Sequence, residues 1–166
     1  MAFSTSASVI STNLDNMLRG LYRDNADHAV TGTTSETDMA STTITGGTIG
    51  ATGALLIIAS GTITNSASGA KTIKLYLGAT AIVTISRTAA NAQDWAIWCL
   101  IANTSEGAQR ITAIYSTTDA ATSSINDTTA AIDTSTNAIL KLTGTLASGS
   151  DTITGTIFDV LEVQIQ

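Results

Sequence analysis

The chain has 166 residues, about the size of one domain, and can bury roughly two thirds of its unfolded surface on folding. Charged residues make up 12% of it, about half the usual share, while apolar residues stand at an ordinary 43%. With a formal charge of -6, and with Lys71, Lys74, Lys141 and four arginines scattered along the chain, this argues against a nucleic-acid binder, which needs clustered cations.

Residues Ser11 to Asp27 read as one amphipathic helix. Leu14, Met17, Leu18 and Leu21 fall on one stripe, and Thr12 with Asp15 forms an approximate capping box. An isolated helix of this length is marginal in water, so the stripe must dock, either on its own domain or on a partner. His28 to Gly53 runs through threonine, serine and glycine with little periodicity and reads as an extended arm holding one short strand near Ile44. The expected organisation is a helix and arm over residues 1–40, followed by a β-sandwich domain over 41–166.

From Ala54 the pattern changes to strands separated by polar and glycine turns. The candidates are Ala54 to Ile63, Lys71 to Leu77, Ala81 to Ser86, Trp95 to Ala102, Gln109 to Ser116, Ala138 to Thr145 and Thr156 to Ile165. Ile73, Leu75 and Leu77 alternate with Thr72, Lys74 and Tyr76, and Leu140 and Leu142 alternate with Ile139 and Lys141. In the last strand Ile157, Leu161, Val163 and Ile165 read as inward, with Asp159 as the costly exception. Thr117 to Asn137 reads as a polar surface excursion with one short strand around Ala130 to Ile132. About eight strands without intervening helices predict an all-β, jelly-roll-like antiparallel sandwich.

The stretch from Trp95 to Ile101 is apolar on both faces. Trp95, Ile97, Cys99 and Ile101 share one, and Trp98 and Leu100 share the other. One face fits a sandwich core and the other a boundary between subunits, so Trp95 and Trp98 join Leu14, Met17, Leu18 and Leu21 as candidate interface residues.

No nucleophile motif is present, and the single His28 lies away from any serine or cysteine signal, although Asp24 four residues before it can pair with it. One histidine and one cysteine are too few for a zinc site. Asp119, Asp127 and Asp133 could supply oxygen ligands to calcium, but no EF-hand pattern is present and solvated aspartates are the simpler reading. "GGTIGATG" from Gly46 has no following lysine or helix and reads as turns rather than a phosphate loop. Cys99 reads as a small buried hydrophobe, with a disulfide between subunits as the alternative. The expectation is a non-enzymatic protein with no cofactor and no metal. With no signal peptide in "MAFSTSASVIST" and "GALLIIASG" too short to cross a bilayer, synthesis in the cytoplasm without membrane insertion is expected.

The segments "TIKLYLG" at Thr72 to Gly78, Asp94-Trp95, and "TGTLASGSDTI" leading into "LEVQI" resemble a broad group of tailed-phage virion β-sandwich proteins. These serve as capsid decorations, head fibres or tail-appendage modules, often as trimers. The resemblance covers about half the chain, rests on packing and turn signatures, and implies a homotrimer on the capsid surface of the virion, in contact with the major capsid protein. Its alternative is a head-fibre or tail module that binds host surface carbohydrate.

Overall fold

The computed structural model describes residues 17–64, 69–88, 92–118 and 124–163. Within them the chain forms β1 (Leu18–Asp24), β2 (His28–Thr31), β3 (Thr37–Ile44), β4 (Ala54–Thr64), β5 (Lys71–Leu77), β6 (Thr80–Arg87), β7 (Gln93–Ser105), β8 (Ala108–Thr117), β9 (Ser124–Ala130), β10 (Ala138–Leu146) and β11 (Thr152–Val163). All pairings are antiparallel. The large sheet runs β1-β11-β4-β7-β8-β9, with β2 continuing past β1 along the same edge of β11, and the small sheet runs β3-β10-β5-β6. The protein is all-β with two packed sheets, as expected, but its described residues form eleven strands rather than eight, and none of them is helical. The picture of an eight-stranded jelly roll preceded by a helix is therefore corrected.

The predicted helix fails at β1. The spacing of Met17, Leu18 and Leu21 satisfies a helical period, but Gly20 between them costs a helix about 1 kcal/mol relative to alanine. The long edge of β11 offers the same residues a ladder instead, pairing Leu18 with Val163, Gly20 with Leu161 and Tyr22 with Val160 around a bulge at Leu21. Ser11 to Asn16, including Leu14, lie outside the described residues. The expected arm is likewise structured. β2 pairs with β11, β3 pairs with β10 and crosses the expected boundary between residues 40 and 41, and Val30, Met39, Ala40 and Ile44 are buried.

Between the sheets lie the inner stripes of the strands. Ile73, Leu75 and Leu77 of β5, Leu140 and Leu142 of β10, Leu55 and Ile57 of β4, and Ile97, Cys99 and Ile101 of β7 are all essentially inaccessible. The alternation read for β5, β7 and β10 is thus the alternation observed. β11 is different. Ile153 and Gly155 point inward, Thr156 is an extra residue in the pairing with β4, and beyond it Phe158 and Val160 are the buried positions. One inserted residue exchanges the two faces. The expectation of Ile157, Leu161, Val163 and Asp159 as inward is corrected accordingly: Ile157 is exposed, and Asp159 points outward, where Arg23 binds it in a bidentate pair with Nε 3.0 Å and Nη2 2.9 Å from its oxygens. Ile165 lies outside the described residues.

Trp95 is seated by a row of small residues. Across the large sheet Gly155 pairs with Gly61, and Gly61 with Trp95. The missing side chain at Gly61 leaves room for the indole, whose Cζ2 lies 2.7 Å from where a Cβ would stand.

The core is closed by polar groups at each end. At one end the inner stripe of β5 terminates in Lys71, whose Nζ lies 3.2 Å from Asp151 Oδ2 with both side chains fully buried. This pair links the small sheet to the start of β11. At the other end Asn103 Nδ2 donates to Gly50 O and Thr134 Oγ1, while Gln109 both donates to Ile132 O and accepts from its N–H. These bonds tie the β3–β4 and β9–β10 loops to the sheet. The loop Thr45 to Gly53 reads as expected from its glycines, since Gly47 and Gly50 have φ of 79° and 61°, a backbone region that favours glycine.

Candidate functional site

The two outer faces of the sandwich differ in chemistry. On the small sheet, outward positions of β5 and β10 carry Lys74, Tyr76 and Lys141, and acidic residues from β3 and the turn before it complete the pairs. Lys74 Nζ lies 2.9 Å from Glu36, Lys141 Nζ lies 3.1 Å from Asp38, and both ammonium groups lie over the Tyr76 ring at 5.7 and 5.2 Å. Burial raises the affinity of Glu36 for its proton. Hydrogen bonds from Lys74, Thr143 and Tyr76 outweigh that and hold its pKa down to about 2, against an ordinary 4.5.

A pH dependence follows. Because the folded pKa is the lower one, the stability that Glu36 contributes is complete above pH 4.5 and is lost as pH falls from there to about 2. Thermal midpoints taken across that interval should show the difference between wild type and Glu36→Gln shrinking towards zero. A difference independent of pH would contradict the assignment.

The outer face of the large sheet is apolar at its centre. Residues paired across strands share a face, so the register gives whole rows of neighbours. One row reads Arg23, Asp159, Ile58, Trp98, Ile114 and Ile125 across β1, β11, β4, β7, β8 and β9. The adjacent row places Leu161, Leu56 and Leu100 side by side, followed by Thr112 and Asp127. Trp98 is 51% exposed, Ile125 72%, and Leu100 and Ile114 are also open to solvent. Scattered exposed hydrophobics are ordinary on a soluble protein; a contiguous sheet face of them marks a contact surface.

Of the six candidate interface residues, Trp98 lies in the middle of this face. Leu18, paired with Val163, extends it at the β1 edge, and Met17 immediately before it is exposed. Leu21 packs half-buried against the core, Trp95 is buried on the inner face, and Leu14 lies outside the described residues. Ile58, Ile114, Ile125 and Leu161 were missed. For Ile114 the signal was present, because it alternates with the buried Ile111, Ala113 and the partly buried Tyr115; for Ile125 it was not, since β9 is too polar to read as a strand.

Beside the apolar rows, Ser60, Asp94, Ala96, Ser116, Thr118 and Thr156 line a shallow open depression of about 410 Å³. Trp95 borders it from below and is 2% exposed, so it offers no ring face for stacking a sugar. His28 Nε2 lies 2.9 Å from Asp24 Oδ2, as the sequence allowed, but across the β1–β2 turn rather than along a helix. The Asp24 carboxyl is held below its usual range by the backbone N–H of Ala26 and by the His28 ring. No described serine or cysteine bonds to His28.

Among the described residues, no three histidine, cysteine or acidic side chains come together as a metal site. Asp127 accepts from Thr112, Asp133 caps Ser135, and Asp119 lies outside the described residues. Cys99 faces the core, where burial pushes its thiol up to about 12 and keeps it from reacting between folded copies. No family model and no curated protein matches the chain, so the surface itself carries the functional argument.

Proposed function

We propose that the protein is a non-enzymatic structural module that works by packing against protein. More particularly, it is a phage virion protein that decorates or cements the capsid surface as a homotrimer in contact with the major capsid protein. The observation that carries the packing role is the apolar outer face centred on Trp98, on a sandwich whose opposite face is covered with charge pairs. The virion setting rests on the resemblance of Thr72 to Gly78, Asp94-Trp95 and the Thr143 to Ile165 region to tailed-phage modules. A weakly charged, hydroxyl-rich exterior suits attachment to a lattice, because short neutral side chains lose little rotamer entropy when covered. Many copies on one lattice also turn weak single contacts into firm retention.

The test is localisation on purified virions with an antibody raised against the full chain. Label spread over the head at high copy number supports capsid decoration. Label confined to the tail or to a few fibres favours the host-carbohydrate module instead, and unlabelled particles would reject the virion reading.

A further inference from the structure

We infer that the outer face of β11, β4, β7, β8 and β9 is a self-association surface, and that it is covered by the same face of neighbouring copies of this chain. The inference concerns the protein alone and stands or falls independently of the capsid reading.

Three observations select another copy as the occupant. The first is area. Five strands at about 4.8 Å spacing, with about 25 Å of strand length exposed, give the face roughly 600 Å² of footprint, of the order of the about 800 Å² that each partner contributes to a stable interface. A small ligand or a single peptide strand would leave most of it wet.

The second is charge. The chain carries -6 overall, yet this face is nearly balanced. Arg23 and Asp159 neutralise each other at the β1 side, and Arg110 and Asp127 sit on adjacent strands at the β9 side, leaving Asp94 as the unbalanced carboxylate among these residues. A strongly charged partner would be met by one sign at the rim. Copies of a face with mixed sign at each flank can approach one another without net repulsion.

The third is the contrast between the two outer faces. Sandwich sheets pack face to face at about 10 Å through interdigitating apolar side chains, and the outer positions Leu56, Ile58, Trp98, Leu100 and Ile114 supply such a layer a second time. The small sheet supplies no such layer: among the described residues Ile139 stands exposed there by itself as a large hydrophobic, and Lys74, Tyr76 and Lys141 with their acidic partners hold that face in water. Assembly through the large sheet therefore buries the apolar rows and leaves the charged face outermost. The exposed tryptophan at the centre of the patch is the residue type and position expected of an energetic anchor.

The measurement is sedimentation velocity of the full chain at micromolar concentration, with circular dichroism as the control for folding. Wild type should sediment as a multiple of the 16.9 kDa chain. Trp98→Asp should keep its β spectrum and raise the dissociation constant by about 100-fold or more. Ile125→Lys, at the open edge of the same row, should weaken assembly in the same direction, and it serves as the deciding variant should Trp98→Asp fail to fold. Ile139→Asp, an exposed residue on the small sheet, should leave the mass unchanged. A wild-type monomer at 100-fold higher concentration would overturn the inference, as would folded Trp98→Asp or Ile125→Lys assembling like wild type, or Ile139→Asp dissociating the assembly. Particle labelling that succeeds while the purified protein stays monomeric removes this inference, and the homotrimer with it, but leaves the virion setting; assembly without particle labelling removes only the virion setting.

Discussion

Lys71→Ala should lower the stability of the fold by about 3–5 kcal/mol, read as a shift of the urea midpoint, because it leaves the Asp151 carboxylate without its cation in a fully buried position. Asp151→Ala should cost a similar amount, because the Lys71 ammonium then stays buried without that carboxylate. The size of the effect comes from desolvation rather than from the strength of the pair itself: neither group can turn to water when its partner is removed, since both side chains have zero exposure. The double replacement Lys71→Met, Asp151→Leu should therefore lose less than either single change, as an apolar pair of similar volume needs no compensation there. If the double variant loses the sum of the two single losses, the coupling between Lys71 and Asp151 is absent. The surface pair Lys141–Asp38 provides the contrast. Its side chains are partly exposed, and breaking it should cost well under about 1 kcal/mol.

Gly61→Ala should destabilise the protein by about 3 kcal/mol or more, at the upper end of what one added methyl usually costs in a packed interior. A Cβ at this position would overlap the Thr154 carbonyl oxygen on β11 and stand 2.7 Å from Trp95 Cζ2. The backbone oxygen cannot withdraw without disturbing the ladder between β4 and β11, and the indole is held by the surrounding core. Gly155→Ala, one strand away in the same row, should stay within about 1 kcal/mol of wild type, because its Cβ would meet Leu142 Cδ2 and Met39 Cβ at an ordinary 3.6 Å. Thermal unfolding of the two variants side by side checks this. Equal stabilities would mean that β11 shifts freely against β4 and that the Trp95 seat is not rigid.

Local pattern was enough wherever a strand is regular and lies between two environments of different polarity. The period-2 alternation of Ile73, Leu75 and Leu77 in β5, and of Leu140 and Leu142 in β10, identified both the strands and their buried faces. The same reasoning separated Trp95 from Trp98: the run around them is apolar on both faces, and the structure puts one tryptophan in the core and the other in the centre of the outer patch. Trp98 and Leu100 were readable for this reason, and Ile114 carried the same signal. Ile125 depended on a neighbour remote in sequence. Ile125 becomes part of the patch only because β9 pairs with β8, and nothing in "SINDTTA" announces that edge.

What the amino-acid sequence determined by itself was the all-β class, the central strands, and the existence of an apolar surface beyond the core. Tertiary structure decided the rest, for identifiable reasons. Met17, Leu18 and Leu21 satisfy a helical spacing, and only the open edge of β11 makes a strand the better place for their backbone hydrogen bonds. The parity of β11 follows alternation up to Gly155 and then reverses, because the extra residue Thr156 is defined by the pairing with β4 and leaves no mark in the composition. Lys71 ends an otherwise apolar stripe and looks like a surface residue until Asp151 is brought beneath it by the packing of one sheet on the other. Alternation is a property of one strand, whereas edges, bulges and buried charge pairs are properties of two or more, and they exist only once the sheets have formed.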